Sequence, residues 1–349
     1  MKFRLFVIPL LSLSLLVTSS PAYSARPPKD GAACTKLGAV RDYQGKSFKC
    51  SKNGNKLVWK SIWVASKRVE SSKEVLQIEK QIDLITKALK VHPVPKYDLS
   101  IEPIIKDGVW LQASKSGIDA SLKFLREIGF EFKEVPGLLI FRNFEWAKSS
   151  MSGSCLRWGE SSPGGACQSE TAFVNLGWFE KRNFKRDNFA GIFDRLEITT
   201  AIPVALFHIA QSETYMSSNN TSNPGTLNDI PAWLSMGKMQ FVKATYMSIL
   251  TGEKYSKIRR ELLEFWGNRC TRESLRKLSD IGPYESSCEW INGMLAMELL
   301  LSQSQDFRSL FWWERKAKGT VPESFQEAYG MEWETFLDRA DSYIKAQNP

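Results

Sequence analysis

The chain of 349 residues holds only two histidines, His92 and His208, so any imidazole chemistry must be built on one of them. His208 lies in the run Val204-Ala-Leu-Phe-His208-Ile-Ala-Gln211, and a second run, Pro231-Ala-Trp233-Leu-Ser-Met236-Gly237, follows it. On a helix, residues four apart sit one turn apart on the same face, which is how two imidazoles meet one tetrahedral metal ion. A glutamate beside the first imidazole then activates the metal-bound water. Here the residue four before His208 is Val204, and no Asp or Glu occurs from Ile198 to Ser212 or from Ile230 to Gly252. The forward register fares no better, with Ile209 at the glutamate position and Ser212 at the second histidine. Glu197 and Glu213 bracket the run, but Glu213 points off the His208 face and Glu197 lies about 16 Å along the helix at 1.5 Å per residue. Nucleophilic chemistry has little more to work with. Ser212 and Ser235 lack the G-x-S-x-G context, and a triad would again have to recruit His208 or His92. His208 is therefore either a remnant of a binding cleft or a hydrogen-bonded histidine inside a helix. The absence of a catalytic partner favours the second reading.

The same two runs resemble the gluzincin metallopeptidases of the peptidase MA-like group, whose pattern is H-E-x-x-H-x-x-Q followed by P-x-W-L-x-E-G. The resemblance puts Val204 at the first histidine, Ala205 at the catalytic glutamate, His208 at the second histidine and Met236 at the third ligand. Gln211, Trp233 and Gly237 match the remaining motif positions. It implies a zincin-like domain that has lost both zinc and hydrolytic activity, so neither a catalytic residue nor a metal or other cofactor is expected. Met236 would fill the vacated metal cavity with a polarisable apolar group. Trp233 and Leu234 are expected in the core, and Pro231 in the first turn of a helix capped by Asp229. Pro203 departs from the pattern, because an interior proline costs about 3 kcal/mol; the helix is expected to begin at Thr199 or Thr200, or to bend there.

The elements that must position these residues can be read from periodicity. Val75, Ile78, Ile82, Ile85 and Leu89 recur at three and four spacing between Ser66 and Lys90, an amphipathic helix that His92-Pro93-Val94-Pro95 ends. Between residues 97 and 180, Leu138 to Phe141 and Thr171 to Phe179 read as strands and Ile118 to Ile128 as a helix, giving a mixed sheet. After Thr199 the pattern is mainly helical: Pro231 to Leu250, Tyr255 to Trp266, Trp290 to Leu301, and two helices on either side of Gly330. The fold class expected is α+β, a mixed sheet followed by a mainly helical C-terminal part. The domains read as 1–24 signal peptide, 25–62 small module, 63–95 linker and amphipathic helix, and 96–349 main domain.

Lys2, Arg4, the apolar run Leu5 to Val17 and the exit Ala22-Tyr23-Ser24 match a secretory signal peptide, with a mature start near Ala25. No later segment approaches the roughly twenty apolar residues of a membrane helix. No cysteine stands at the exit to carry a lipid. Six cysteines in an exported chain read as three disulfides, and closeness in sequence suggests Cys34 with Cys50, Cys155 with Cys167, and Cys270 with Cys288. The first pair brackets a hairpin-like segment that looks like the small modules following signal peptides in secreted actinobacterial proteins.

The formal charge of +9 becomes +7 once Lys2 and Arg4 are removed. That favours anionic envelope polymers, but the bases are scattered and nucleic acid is not indicated. Trp312-Trp313-Glu314 and Met331-Glu332-Trp333 admit a sugar-stacking reading, against the commoner one of core aromatics. The function expected is that of a secreted or cell-wall-associated binding or scaffold protein whose partner is a peptide or an envelope polymer. An active hydrolase with a non-standard site and an envelope-attachment protein are the alternatives. For peptide binding by strand addition, the edge strand expected is Thr171 to Phe179.

Overall fold

Near the N-terminus, three strands, β1 (Val40–Tyr43), β2 (Lys46–Asn53) and β3 (Lys56–Ile62), pair antiparallel in chain order. Asn53 pairs with Lys56, so two residues make the turn, and Gly54 takes the φ of 60° that a side chain would resist. The segment before β1 joins β3, with the Gly31 N–H donating to the Trp59 carbonyl at 2.7 Å and the Cys34 N–H to the Leu57 carbonyl at 3.0 Å. Phe48, Cys50 and Trp59 make a small core, which the Cys34–Cys50 disulfide closes with a Cα–Cα distance of 5.8 Å. A core of this size needs a staple.

The computed structural model describes residues 29, 31–43, 46–62, 72–90, 94, 97–132, 134–151, 159–160, 164–167, 171–181, 192–219, 230–270, 273–280 and 288–347. Contacts divide the chain into two units, 1–69 and 70–349. The signal segment, His92, Cys155 and Asp229 lie outside the described residues, and with Cys155 the expected Cys155–Cys167 pairing.

The main unit opens with α1 (Lys73–Ala88), whose Val75, Ile78, Ile82 and Ile85 form one buried face. The Ser72 Oγ caps it by accepting from the Val75 N–H at 3.4 Å. Next come β4 (Leu99–Ile101), α2 (Gly108–Glu127), β5 (Gly137–Phe141), α3 (Phe144–Ala147), β6 (Gly164–Cys167), β7 (Thr171–Asn175) and α4 (Leu176–Lys181). The sheet order is β4-β5-β7-β6, with β4, β5 and β7 parallel and β6 antiparallel to β7. Side chains alternate as a pleat requires. Leu138, Ile140, Ala172 and Val174 face the main core, while Leu139, Phe141 and Phe173 face a second cluster with Ala147 and Met151. With both faces covered, β5 reads as a continuous apolar run.

The structure corrects several expectations. Helix α2 begins at Gly108, well before Ile118. The strand expected over Thr171 to Phe179 stops at Asn175, whose Oδ1 accepts the Trp178 N–H at 3.0 Å and starts α4. It is also an interior strand. The short Gly164–Cys167 segment, which carries two glycines and no strand signal, pairs on its other side, so the edges are β4 and β6.

The helical part comprises α5 (Ile192–Asn219), α6 (Ala232–Thr251), α7 (Tyr255–Cys270), α8 (Leu275–Asp280), α9 (Cys288–Ser304), α10 (Trp312–Lys316), α11 (Val321–Tyr329) and α12 (Trp333–Ala346). Helix α5 runs past the expected start: Pro203 lies inside it, and Val204 is far from the opening turn. Packing against β6, β7, α2 and α6 offsets the hydrogen bond that proline removes. Pro231 is the N-cap of α6 rather than a first-turn residue, and its carbonyl accepts the Leu234 N–H at 2.8 Å. Gly330, at φ 66°, separates α11 from α12 as the C-cap that allows the chain to leave the helix. The Cys270–Cys288 disulfide joins the end of α7 to the start of α9. No helix of the described residues is long and apolar enough to cross a membrane.

Candidate functional site

Helix α6 is the centre of this part and is buried along nearly its whole length, from Ala232 to Ser248. It has to be apolar on every side, and Trp233, Phe241, Val242 and Met247 meet that requirement. Two lysines do not. Lys238 is fully buried and Lys243 nearly so, and a buried ammonium requires a partner.

The partners come from α5 and α10. The Lys238 Nζ donates to both carboxylate oxygens of Glu314, each at 2.9 Å, and the Gln211 Nε2 donates to Glu314 Oε1 at 2.9 Å. Lys243 forms an ion pair with Glu197, and its ammonium lies 5.0 Å from the centre of the Trp290 ring. Burial lowers the pKa of Lys238, and the Glu314 charge pulls it back up. A third buried pair lies between α7 and α9. The Arg259 Nε donates to both Glu298 oxygens at 2.8 and 2.9 Å, and the Tyr255 and Tyr343 hydroxyls donate to the same carboxylate at 2.7 and 3.0 Å.

Glu197, Val204, His208 and Gln211 fall along one side of α5, since steps of seven, four and three residues return to nearly the same face. That is the face a metal site would use. Val204 and Ala205 are buried there, and Met236 of α6 is 4% exposed, so apolar groups stand at the three positions that the resemblance would assign to two ligands and a glutamate. His208 is partly buried, and among the described residues its ring has no hydrogen-bond partner. Burial, and after it the charge of Lys243, lower its pKa to about 4. A neutral imidazole could ligate a metal, but the Lys243 ammonium near it repels a divalent cation.

The residues present do not fit zinc. Among the described residues no group of three His, Cys, Asp or Glu side chains is placed to hold a metal ion. Gln211 has a defined partner in Glu314. Gly237 has a packing role: a Cβ there would lie 2.2 Å from the backbone carbon of Gly293, and one on Gly293 would lie 2.0 Å from the Trp233 carbonyl oxygen. Helices α6 and α9 cross at backbone contact through these two glycines. Trp233 stacks on Trp333 at 5.8 Å and donates its indole N–H to Ser279 Oγ at 2.8 Å.

Of the two aromatic clusters, Trp313, Glu314 and Trp333 are buried and belong to the core, while Trp312 is half-buried under Lys316. Helix α6 holds none of the acids a metal site needs, and its charged groups are the lysines. The signal was present, since Lys238 and Lys243 are charges in a helix apolar on all sides, but their partners Glu314 and Glu197 are distant in sequence and only the fold joins them. No family model, no curated protein and no solved structure matches the chain.

Proposed function

We propose that the protein is an exported, catalytically inactive member of the gluzincin-like metallopeptidases that works by binding. The reading keeps the resemblance in the two runs around His208 and Trp233. The observation that carries it is the pair of buried lysine–glutamate bridges: Lys238 and Lys243 supply positive charge inside the helix pair where such an enzyme keeps its metal. With these charges satisfied internally, neither lysine is left to polarise a peptide carbonyl, and His208 has no carboxylate partner among the described residues to make it a general base. Any extended peptide would add to β6, the edge strand that packs beside α5.

The test is a hydrolysis assay on an unfolded protein substrate with micromolar zinc present. The expected result is no cleavage above background for wild type or His208→Ala. Zinc-dependent cleavage that His208→Ala abolishes would overturn the reading.

A second reading, attachment to the cell envelope, is favoured by the N-terminal unit. Lys29, Lys36, Lys49, Lys52, Lys56 and Lys60 are all exposed on it. Attachment through these charges weakens steeply between low and physiological salt. Retention on cell-wall material at 1 M salt would rule out this electrostatic form. The two disulfides and the absence of a membrane-crossing helix among the described residues are both compatible with an extracellular place of work.

A further inference from the structure

A cavity of about 290 Å³ opens between the start of α1, the end of α9 and α12. No residue of α5 or α6 lines it, so a ligand bound there is independent of the metallopeptidase-like reading. Leu299 supplies its apolar lining, and the walls carry polar groups the fold does not use. The carboxamides of Gln77, Gln303 and Gln305 have no hydrogen-bond partner among the described residues.

Two cations stand at the same cavity, and neither is well matched. The guanidinium of Arg339 meets the Met331 Sδ at 3.8 Å, a weak acceptor, while Arg126, Arg142 and Arg276 all have carboxylates. Lys73 reaches only its neighbour Glu74, at 3.8 Å, and its side chain is 92% exposed. Gln305 adds an independent sign. It is the only non-glycine among the described residues with positive φ, at 53°, and its N–H closes α9 on the Leu301 carbonyl at 2.9 Å. Glycine or asparagine suits that position better, and here a carboxamide stands there at the mouth of the cavity.

We propose that this cavity binds one carboxylate-bearing sugar unit. Arg339 offers paired N–H donors in the geometry of a carboxylate, and Lys73 adds a second positive charge. The three carboxamides and the Ser302 hydroxyl suit sugar hydroxyls, which both donate and accept, and Glu74 accepts from one of them. Leu299 lies against the apolar face of the ring. The volume stands at the lower limit of the range of about 300–1,000 Å³ usual for small-molecule sites, which selects one ring over a chain.

The test is calorimetric titration of the full mature chain with glucuronate, with glucose and glycerol phosphate as comparators. Arg339 and Gln303 are exposed, so Arg339→Ala and Gln303→Ala are suitable variants, with circular dichroism confirming their fold. The expected result is saturable glucuronate binding that glucose reproduces at least tenfold more weakly. Arg339→Ala should lose at least tenfold in affinity and Gln303→Ala a few-fold. No saturable binding, binding unchanged by Arg339→Ala, or glycerol phosphate binding as tightly as glucuronate would each overturn the proposal.

Discussion

Helix α6 meets the neighbours on its two sides in opposite ways. Against α9 it is dry and close, with Gly237 on Gly293 and nothing between the backbones. Towards α5 and α10 it carries charge, Lys243 to Glu197 and Lys238 to Glu314 with Gln211. A single helix thus carries a packing face and a charged face. Gly237 is required by the α9 contact whatever the charges do. Met236 beside it is apolar and buried.

The contrast can be broken first on the dry side. Gly237→Ala places a methyl group inside the Gly293 backbone, and overpacking against backbone is expected to cost about 3 kcal/mol, read as a lowered urea midpoint. A loss under 1 kcal/mol would mean the helices separate easily and the contact is not tight.

On the charged side, Lys238→Met strands the buried Glu314 carboxylate and is expected to cost about 3–5 kcal/mol. Adding Glu314→Leu to make the double variant should recover most of it, because a well-packed apolar pair can replace a buried ion pair. A double variant as unstable as the single one would show that the charges hold more than each other.

His208 gives a smaller, pH-dependent effect. Its imidazole is protonated near 6.5 when exposed but only near 4 in the fold, so between these values the unfolded chain binds the extra proton. The stability this group contributes is fully present above pH 6.5 and is lost as pH falls towards 4. His208→Gln should flatten that part of the urea-midpoint profile, and parallel profiles for the two proteins would contradict the assignment. The smallest effect belongs to the surface. Arg276, with Glu334 and Asp338 on exposed side chains, should cost less than about 1 kcal/mol when changed to Ala, and less still in high salt.

Much of the scaffold was legible in the chain. Val75, Ile78, Ile82 and Ile85 have one role only, to bury a helix face, so their spacing states it. The same holds for Leu138 to Phe141 and for Gly330 between its two helices. The pairing of β6 was not legible, because a glycine-bearing four-residue strand gains its form from the neighbour β7 and has no pattern of its own. Pro203 misled for the opposite reason: a local rule predicted that the helix starts at Thr199 or Thr200 or bends there, and tertiary packing lets it begin at Ile192 with the proline inside. At the candidate site, the absence of acids and imidazoles at Val204, Ala205 and Met236 could be read directly. The buried bridges near them could not, since Glu314 and Lys238 are joined only by the fold.

The most direct test is the zinc content per chain of the mature protein, purified without chelator and equilibrated with micromolar zinc. No tightly bound zinc is the predicted result, with the two buried lysines holding the positive charge of the site. One tightly bound zinc ion per chain would contradict it and would mean that a ligand set other than the His208 face makes this protein a working metallopeptidase candidate.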